Sequence, residues 1–226
     1  RAKESNCSLF KDKIMSNRGQ FIVIEGLEGA GKTTALHTIQ QVLDEHGIAH
    51  ITSREPGGTR VGEMARCLIK ESVPNEPLDP RAELLLFYAA RVQLLECVIR
   101  PALAKGTWVL LDRFELSTFA YQGGGRKLDE SMIRHLSNFC ITDMQPDLIL
   151  FLDVSPQQGL QRIQLRGEID RIEQEALSFF NDVHNAYHHY IKTMSNVSIV
   201  DASQPQPVVK TNIVNTIKNY LMHYND

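Results

Sequence analysis

One stretch of eight residues decides the fold: Gly26-Leu27-Glu28-Gly29-Ala30-Gly31-Lys32-Thr33. It matches the pattern G-x-x-x-x-G-K-[ST]. The apolar run at 21–24 predicts a short strand before it, and the apolar residues within 34–43 recur at roughly helical spacing after it. A strand, a glycine-rich loop and a helix, in that order, form the context that separates a functional loop of this kind from a chance match.

The residue types of the loop fit the binding of phosphate groups. Backbone N–H groups converge on phosphate oxygens only where side chains leave room, which favours Gly26, Gly29 and Gly31. Lys32 supplies a positive charge for the β- and γ-phosphates, and the Thr33 hydroxyl is suited to Mg²⁺. The sequence therefore predicts a site for a nucleoside triphosphate.

The composition narrows the class of protein. With 226 residues, 42% hydrophobic and 23% charged, the chain suits one α/β domain. A net charge of −3 gives no electrostatic reason to expect nucleic acid or an anionic membrane as partner, and no apolar run approaches the roughly 20 residues that span a bilayer. The cysteines are far apart and form no C-x-x-C pair, which favours reduced thiols in a cytoplasmic protein: Cys7, Cys67, Cys97 and Cys140.

Strand and helix patterns alternate along the rest of the chain. Further strands are predicted at 50–52, 107–111, 147–153 and 197–201, and helices at 61–69, 81–103, 128–139, from 156 onward and at 207–222. Five apolar strands separated by helices predict an α/β fold with a five-stranded parallel sheet and helices on both faces. We assign 19–226 to this single domain and treat the polar, aperiodic residues 1–18 as an extension outside it.

The carboxyl ends of the strands predict where the ligands bind. In parallel α/β sheets ligands collect at that edge, where the loop, Arg54, Asp112 and Asp153 all fall. A triphosphate site alone leaves open a switch GTPase, a motor ATPase or a small kinase. The N-K-x-D segment by which Ras-type GTPases bind guanine is absent from the sequence.

Arginines in predicted loops or at element ends favour a kinase whose acceptor is itself phosphorylated. Two anionic ligands repel each other, and arginines and Mg²⁺ offset that repulsion. The arginines concerned are Arg54, Arg113, Arg162, Arg166 and Arg171.

Five segments in order carry a family resemblance: 26–34, 52–59, 86–91, Asp112-Arg113 with Ser117-Thr118 and 121–125, and 166–173. From about Phe21 to the C-terminus the chain resembles the bacterial thymidylate kinases, which are P-loop nucleoside monophosphate kinases. The resemblance implies a single P-loop kinase domain that transfers the γ-phosphoryl group of ATP directly, in line, to thymidine monophosphate in dTTP synthesis, with Mg²⁺. It also implies a homodimer.

The resemblance assigns the donor side of the site by position. ATP would be bound by Gly26, Glu28, Gly29, Ala30, Gly31, Lys32, Thr33, Thr34, Arg162 and Arg166. Residues 161–173 would form a lid whose arginine replaces one that the phosphate loop lacks. Arg166 is our choice, and Arg162 and Arg171 are alternatives. Thr33 would bind Mg²⁺, and Asp112 would support the ion through water or position Arg113. The catalytic set is Lys32, Asp112, Arg113 and Arg166.

The acceptor side follows in the same way. Phe87 would stack on the thymine ring, and Arg91 would bond its O4 edge. Thymidine monophosphate would be bound by Glu28, Arg54, Arg66, Phe87, Arg91, Arg113, Ser117, Thr118, Tyr121 and Gln122. Within this set Tyr121 would lie beside the deoxyribose, and Glu28 would accept a hydrogen bond from its 3′-hydroxyl.

Two alternatives stay open from the residues themselves: a kinase for another nucleoside monophosphate, and a non-catalytic regulatory protein that binds a triphosphate. Two further features are predicted to have no role in the chemistry. His184, His188 and His189 include an i, i+4 pair, but we expect a solvated helix face because no carboxylate–histidine motif accompanies them. Glu25 is expected to be structural.

Overall fold

A five-stranded parallel sheet forms the centre of the molecule. The computed structural model describes residues 18–167 and 169–224. The strands are β1 (Phe21–Gly26), β2 (His50–Arg54), β3 (Trp108–Asp112), β4 (Leu148–Asp153) and β5 (Val197–Asp201). All four neighbouring pairs are parallel and the order is β2-β3-β1-β4-β5. The predicted sheet is confirmed.

The helices are α1 (Lys32–Glu45), α2 (Arg60–Lys70), α3 (Pro80–Leu94), α4 (Arg100–Ala104), α5 (Glu115–Thr118), α6 (Glu130–Cys140), α7 (Pro156–Arg166), α8 (Leu177–Ile191) and α9 (Gln206–Tyr224). Two π-helical segments, Leu95–Ile99 and Phe119–Gly125, lie between helices. No helix among the described residues is long and apolar enough to cross a membrane.

At three places the structure differs from the predicted boundaries or adds to them. The single helix predicted at 81–103 contains the π-helical segment, because Pro101 lacks an N–H and its ring crowds the carbonyl four residues earlier, at Cys97. Residues 161–166 of the predicted lid are the last turns of α7. Arg18, placed outside the fold, donates to Asp147 Oδ2 at 2.6 Å beside the start of β4. The rest of the predicted extension, 1–17, lies outside the described residues.

The central strands are buried on both faces. Every residue of β1 is buried, as are the first four residues of β3 and the first five of β4. Successive side chains of a strand point to opposite faces, so continuous burial requires helices on both, as predicted. Because β1 pairs in parallel with both β3 and β4, the carboxyl ends of these three strands are adjacent. The loops that follow them meet at one edge of the sheet.

The phosphate loop packs directly on the backbone of α7. Gly29 and Gly31 adopt φ angles of 73° and 92°, in the region that glycine tolerates. A Cβ added to Gly29 would lie 2.3 Å from the carbonyl oxygen of Gly159, and one added to Gly159 would lie 2.5 Å from that of Glu28. The position of the loop therefore depends on two glycines facing each other.

The close approach of Gly159 to the Glu28 carbonyl oxygen predicts the effect of Gly159→Ala. Alanine normally stabilises a helix interior by roughly 1 kcal/mol relative to glycine. Here its methyl group would overlap a backbone oxygen, so we expect unfolding in urea to show a loss of about 1–3 kcal/mol, together with weaker ATP binding. Gln157→Ala, at an exposed position of α7, is the matched control and should have neither effect. A stabilised Gly159→Ala protein would contradict this packing.

Candidate active site

A cavity of about 370 Å³ lies at the carboxyl edge of the sheet. It brings together seventeen of the predicted site residues: Glu28, Gly29, Gly31, Lys32, Thr33, Arg54, Arg66, Phe87, Arg91, Asp112, Arg113, Ser117, Thr118, Tyr121, Gln122, Arg162 and Arg166. Gly26, Ala30 and Thr34 do not line it. Gly26 is the buried last residue of β1, Ala30 is buried in the core, and Thr34 lies on α1.

Lys32 begins α1 at the phosphate-loop end of this cavity. Its Nζ donates to the carbonyl oxygens of Gly26 at 3.2 Å and Leu27 at 2.8 Å, so the amine is held against the loop. Burial, and after it the nearby cation Arg113, lower the pKa of Lys32 from its ordinary 10.5 to about 8. An anionic ligand beside this amine would restore its affinity for the proton.

The Arg113 guanidinium joins four side chains beneath the cavity. It donates to Glu28 Oε1 at 2.7 Å, Ser117 Oγ at 3.1 Å and the hydroxyls of Tyr121 and Tyr187, both at 3.2 Å. The Tyr121 hydroxyl in turn donates to Glu28. Burial alone would lower the pKa of Arg113, but the Glu28 carboxylate offsets it and holds this pKa well above its ordinary value. Arg113 is therefore a fixed cation.

The backbone at Arg113 is strained. Its φ is 68°, in the left-handed region that non-glycine residues adopt at a cost. Its amide donates to the carbonyl oxygen of Ile24 at 3.0 Å, which ties it to β1. From this position the side chain reaches Glu28 in the phosphate loop.

Glu25 supports this arrangement from below and does not line the cavity. Its fully buried carboxylate accepts from the amides of Phe114 at 2.9 Å and Ser117 at 3.2 Å, from Ser117 Oγ at 2.6 Å and from the Tyr187 hydroxyl at 2.9 Å. Burial raises the pKa of Glu25. These contacts fit the structural role that we predicted.

A buried ion pair lies at the other end of the cavity. Arg91 Nε donates to Glu55 Oε2 at 2.7 Å, and its Nη2 donates to Thr118 Oγ1 at 2.9 Å and to the carbonyl oxygen of Phe114 at 3.1 Å. Arg91 Nη1 is buried and has no hydrogen-bond partner within the described chain. Phe87, one helical turn earlier on α3, also lines the cavity. This end therefore presents an aromatic ring and a charged N–H group.

Sequence reasoning missed the partners of Gln122. Its Nε2 donates to Glu83 Oε1 at 2.8 Å, and the same buried carboxylate accepts from Arg126 at 3.2 Å and from Arg171. Glu55 was missed as a partner of Arg91, although it lies within the segment 52–59 that carried the resemblance. Neither Glu55 nor Glu83 could be identified from the sequence, because each meets its partner across 36 residues or more.

The remaining arginines already have carboxylate or carbonyl partners. Arg54 pairs with Glu63 at 3.0 Å, and Arg66 donates to the carbonyl oxygen of Pro56 at 3.1 Å. Arg166 pairs with Glu173 at 2.7 Å. Arg162 lies within α7, neither in a loop nor at an element end as predicted, and donates to the carbonyl oxygens of Gly29 at 3.2 Å and Ala202 at 2.9 Å.

Arg171, the third candidate for the lid arginine, makes its hydrogen bonds to α2 and α3. Arg171 donates to the carbonyl oxygen of Ile69 at 2.7 Å and to Glu83, and it does not line the cavity. Lys70 pairs with Asp170 at 2.6 Å. The segment after α7 is therefore tied to the end of α2 and the start of α3.

Two oxygens at the phosphate-loop end suit a magnesium ion. Asp112 Oδ1 is buried and has no hydrogen-bond partner among the described residues, and Thr33 lines the same cavity. Carboxylate and hydroxyl oxygens are ligands that Mg²⁺ accepts, commonly with intervening waters. The donor set fits the predicted ion.

The sheet order, the phosphate loop and the arginine-lined cavity together define a P-loop domain of the nucleotide kinase type. The family model described as thymidylate kinase matches residues 24–213. The chain is 51% identical to the thymidylate kinase of Legionella pneumophila strain Corby and 50% identical to that of strain Paris, in each case over 93% of this chain and 99% of the relative. The chain belongs to the thymidylate kinase family.

The lowered pKa of Lys32 predicts how ATP binding depends on pH. Triphosphate favours the charged amine, whose pKa in the free protein is about 8. Above pH 8 binding must take up a proton, so affinity for a non-hydrolysable ATP analogue should fall by up to about tenfold per pH unit. Calorimetric titration between pH 7 and 9.5 (roughly the window that this linkage requires) measures it.

Two variants test whether Lys32, and not another titrating group, causes this pH dependence of ATP binding. Lys32→Met should bind weakly, with the loss above pH 8 abolished. Lys105→Met, at an exposed position, should keep the pH dependence of the unaltered protein. The same slope in Lys32→Met would assign the dependence to another group.

Proposed function

We propose that the protein transfers the γ-phosphoryl group of ATP to thymidine monophosphate, giving thymidine diphosphate and ADP for dTTP synthesis. The observation that carries this proposal is one cavity with a phosphate loop at one end and the Phe87–Arg91 face at the other, in a chain of the thymidylate kinase family. The alternatives, a kinase for another nucleotide and a regulatory triphosphate-binding protein, are outcomes of the test below.

The proposed acceptor site rests on shape and hydrogen-bonding chemistry. Phe87 offers a face for stacking on a pyrimidine, and Arg91 Nη1 is a buried donor without a partner in the described chain. A thymine carbonyl oxygen would satisfy that donor. Thr118 and Gln122 are proposed to contact the same base, and Tyr121 and Glu28 the deoxyribose. Arg66 is proposed at the base edge.

The proposed phosphate contacts use the cations of the cavity. Lys32 and the loop amides would bind the donor β- and γ-phosphates, and Arg54 and Arg113 the acceptor phosphate. A phosphate oxygen attacks without a general base because it is already largely ionised at neutral pH. Arg113 would therefore act through its charge, positioned by Glu28 and Ser117.

Magnesium is the proposed cofactor, held by Thr33 and, directly or through water, by Asp112. The bound ion would neutralise charge on the donor phosphates. Arg166 is proposed as the lid arginine, with Arg162 as the alternative because its guanidinium already contacts the phosphate loop. Closure of the predicted lid, through its described residues 169–173, would exclude water from the cavity and limit hydrolysis of ATP.

A homodimer is proposed from an apolar face. Val61, Met64 and Leu68 follow one another along α2 and are 44%, 61% and 55% exposed, and Leu85 on the adjacent α3 is 56% exposed. Contiguous apolar surface of this kind favours a protein partner. A second copy of the chain buries it symmetrically.

The proposed location is the cytoplasm. Cys67 and Cys97 are exposed free thiols, which a reducing compartment preserves. ATP, the proposed phosphoryl donor, is available there.

The function is tested by ADP release with a panel of acceptors. We expect turnover with thymidine monophosphate and little with AMP, UMP or no acceptor. Phe87→Ala should raise KM for thymidine monophosphate roughly 5–150-fold, since stacking on a base contributes ~1–3 kcal/mol, with KM for ATP unchanged. Equal turnover of AMP or UMP would favour the other nucleotide kinases, and acceptor-independent hydrolysis would favour the regulatory protein.

Phe87 is a better test than Arg91. Removing Arg91 would leave the Glu55 carboxylate buried without its cation, which costs roughly 3–5 kcal/mol of folding stability. Loss of acceptor binding in Arg91→Ala would therefore mix a local effect with damage to the fold.

The dimer is tested by light scattering coupled to gel filtration. We expect the mass of two chains for the unaltered protein and of one chain for Met64→Glu/Leu68→Glu, because two carboxylates would be buried in the interface. Met132→Glu, at a position 58% exposed on α6, is the control and should stay dimeric. A dimer in the double variant would place the interface on another face.

A further inference from the structure

A cluster of two histidines and one aspartate lies outside the cavity. Asp153 ends β4, and His184 and His188 lie one turn apart on α8. We predicted a solvated helix face without a carboxylate. His189 is exposed as predicted, but His184 and His188 are only partly exposed and do meet a carboxylate. The carboxylate comes from 31 residues earlier in the chain and meets the histidines only in the folded protein.

The three potential ligand atoms are mutually close. Asp153 Oδ1 lies 2.9 Å from His184 Nε2 and 3.2 Å from His188 Nε2, and the two Nε2 atoms are 3.2 Å apart. A tetrahedral Zn²⁺ with bonds of about 2.0–2.1 Å separates its ligand atoms by about 3.3–3.4 Å. The distances between the three ligand atoms in the protein are already close to that spacing.

Hydrogen bonds alone can account for at most two of these three contacts at a time. Each Nε2 carries at most one hydrogen and the ionised carboxylate carries none. When both hydrogens are directed at Asp153, no hydrogen lies between the two nitrogens. When one hydrogen lies between the rings, one nitrogen has no bond to the carboxylate. A metal ion at the centre bonds all three atoms at once.

The rings are positioned by packing, and the site is open to solvent. The His188 ring meets Phe151 edge-on at 5.6 Å, and the His184 and His188 ring centres are 4.4 Å apart. The side chains of His184, His188 and Asp153 are 23%, 34% and 31% exposed, so an ion can reach them. Three protein ligands with an accessible fourth position are common in zinc sites that also hold water.

We propose that Asp153, His184 and His188 form a binding site for one divalent transition-metal ion of the zinc type. Imidazole ligands favour Zn²⁺, Co²⁺ or Ni²⁺ over Mg²⁺, so the site is chemically distinct from the proposed magnesium position at Thr33 and Asp112. The ion would tie α8 to the end of β4. The amide of Ala202, in the loop after β5, also bonds the backbone oxygen of Asp153 at 2.7 Å.

The test is calorimetric titration of the untagged, metal-free protein with Zn²⁺ in the presence of excess Mg²⁺. We expect one ion per chain from this site, and a loss of affinity of ~100-fold in His184→Ala and in His188→Ala, since even the outer partners of metal ligands contribute 10–100-fold. His189→Ala, at the next position on α8 and outside the cluster, is the matched control and should bind as the unaltered protein does. Zn²⁺ should also raise Tm of the unaltered protein and of His189→Ala only.

A Co²⁺ spectrum identifies the ligands independently of the variants. Ligand-field bands without a thiolate charge-transfer band are expected, because the cluster contains no cysteine. No binding, equal affinity in all variants, or a thiolate band would overturn the proposal, the last because it would place the ion at a cysteine instead. Circular dichroism of each metal-free variant separates loss of a ligand from loss of the fold.

Discussion

The active site depends on one largely buried cation, the guanidinium of Arg113, whose side chain is 15% exposed. Its hydrogen bonds reach the phosphate loop through Glu28, α5 through Ser117 and α8 through Tyr187, so three segments distant in the chain are fixed relative to one another. A buried charge is costly unless it is paired and hydrogen-bonded, and here each N–H group in these contacts has a defined acceptor. The left-handed backbone at this residue is tolerated because those contacts hold it in place.

The other cations of the cavity follow the same rule. Arg91 is held by Glu55, Arg54 by Glu63 and Arg166 by Glu173. Phosphate ligands must therefore compete with carboxylates for the exposed pairs, whereas the fully buried pair stays formed. This difference separates the arginines that we propose to bind phosphates from an arginine whose buried N–H group is fixed in direction before any ligand arrives.

Local sequence signals predicted the parts whose structure is local. The phosphate loop and the five strands depend on residue type and periodicity over short windows, so they were found at nearly their observed bounds. The π-helical segments were missed because apolar periodicity does not distinguish a shift of hydrogen bonding from i−4 to i−5. Arg18 was missed because its partner Asp147 lies 129 residues away. The resemblance supplied candidate site residues that periodicity cannot predict, but not their partners Glu55 and Glu83.

The sequence by itself determined a parallel α/β sheet, the loop that binds phosphate and the edge at which ligands meet, because each is encoded by neighbouring residues. Tertiary structure alone decided which carboxylate meets which cation, that Glu25 lies beneath Arg113, and that Asp153 joins His184 and His188. Those contacts depend on the angles at which strands and helices pack, and no window of the sequence contains them. Burial in the folded protein then shifts the pKa values of charged groups, as in the lowered pKa of Lys32.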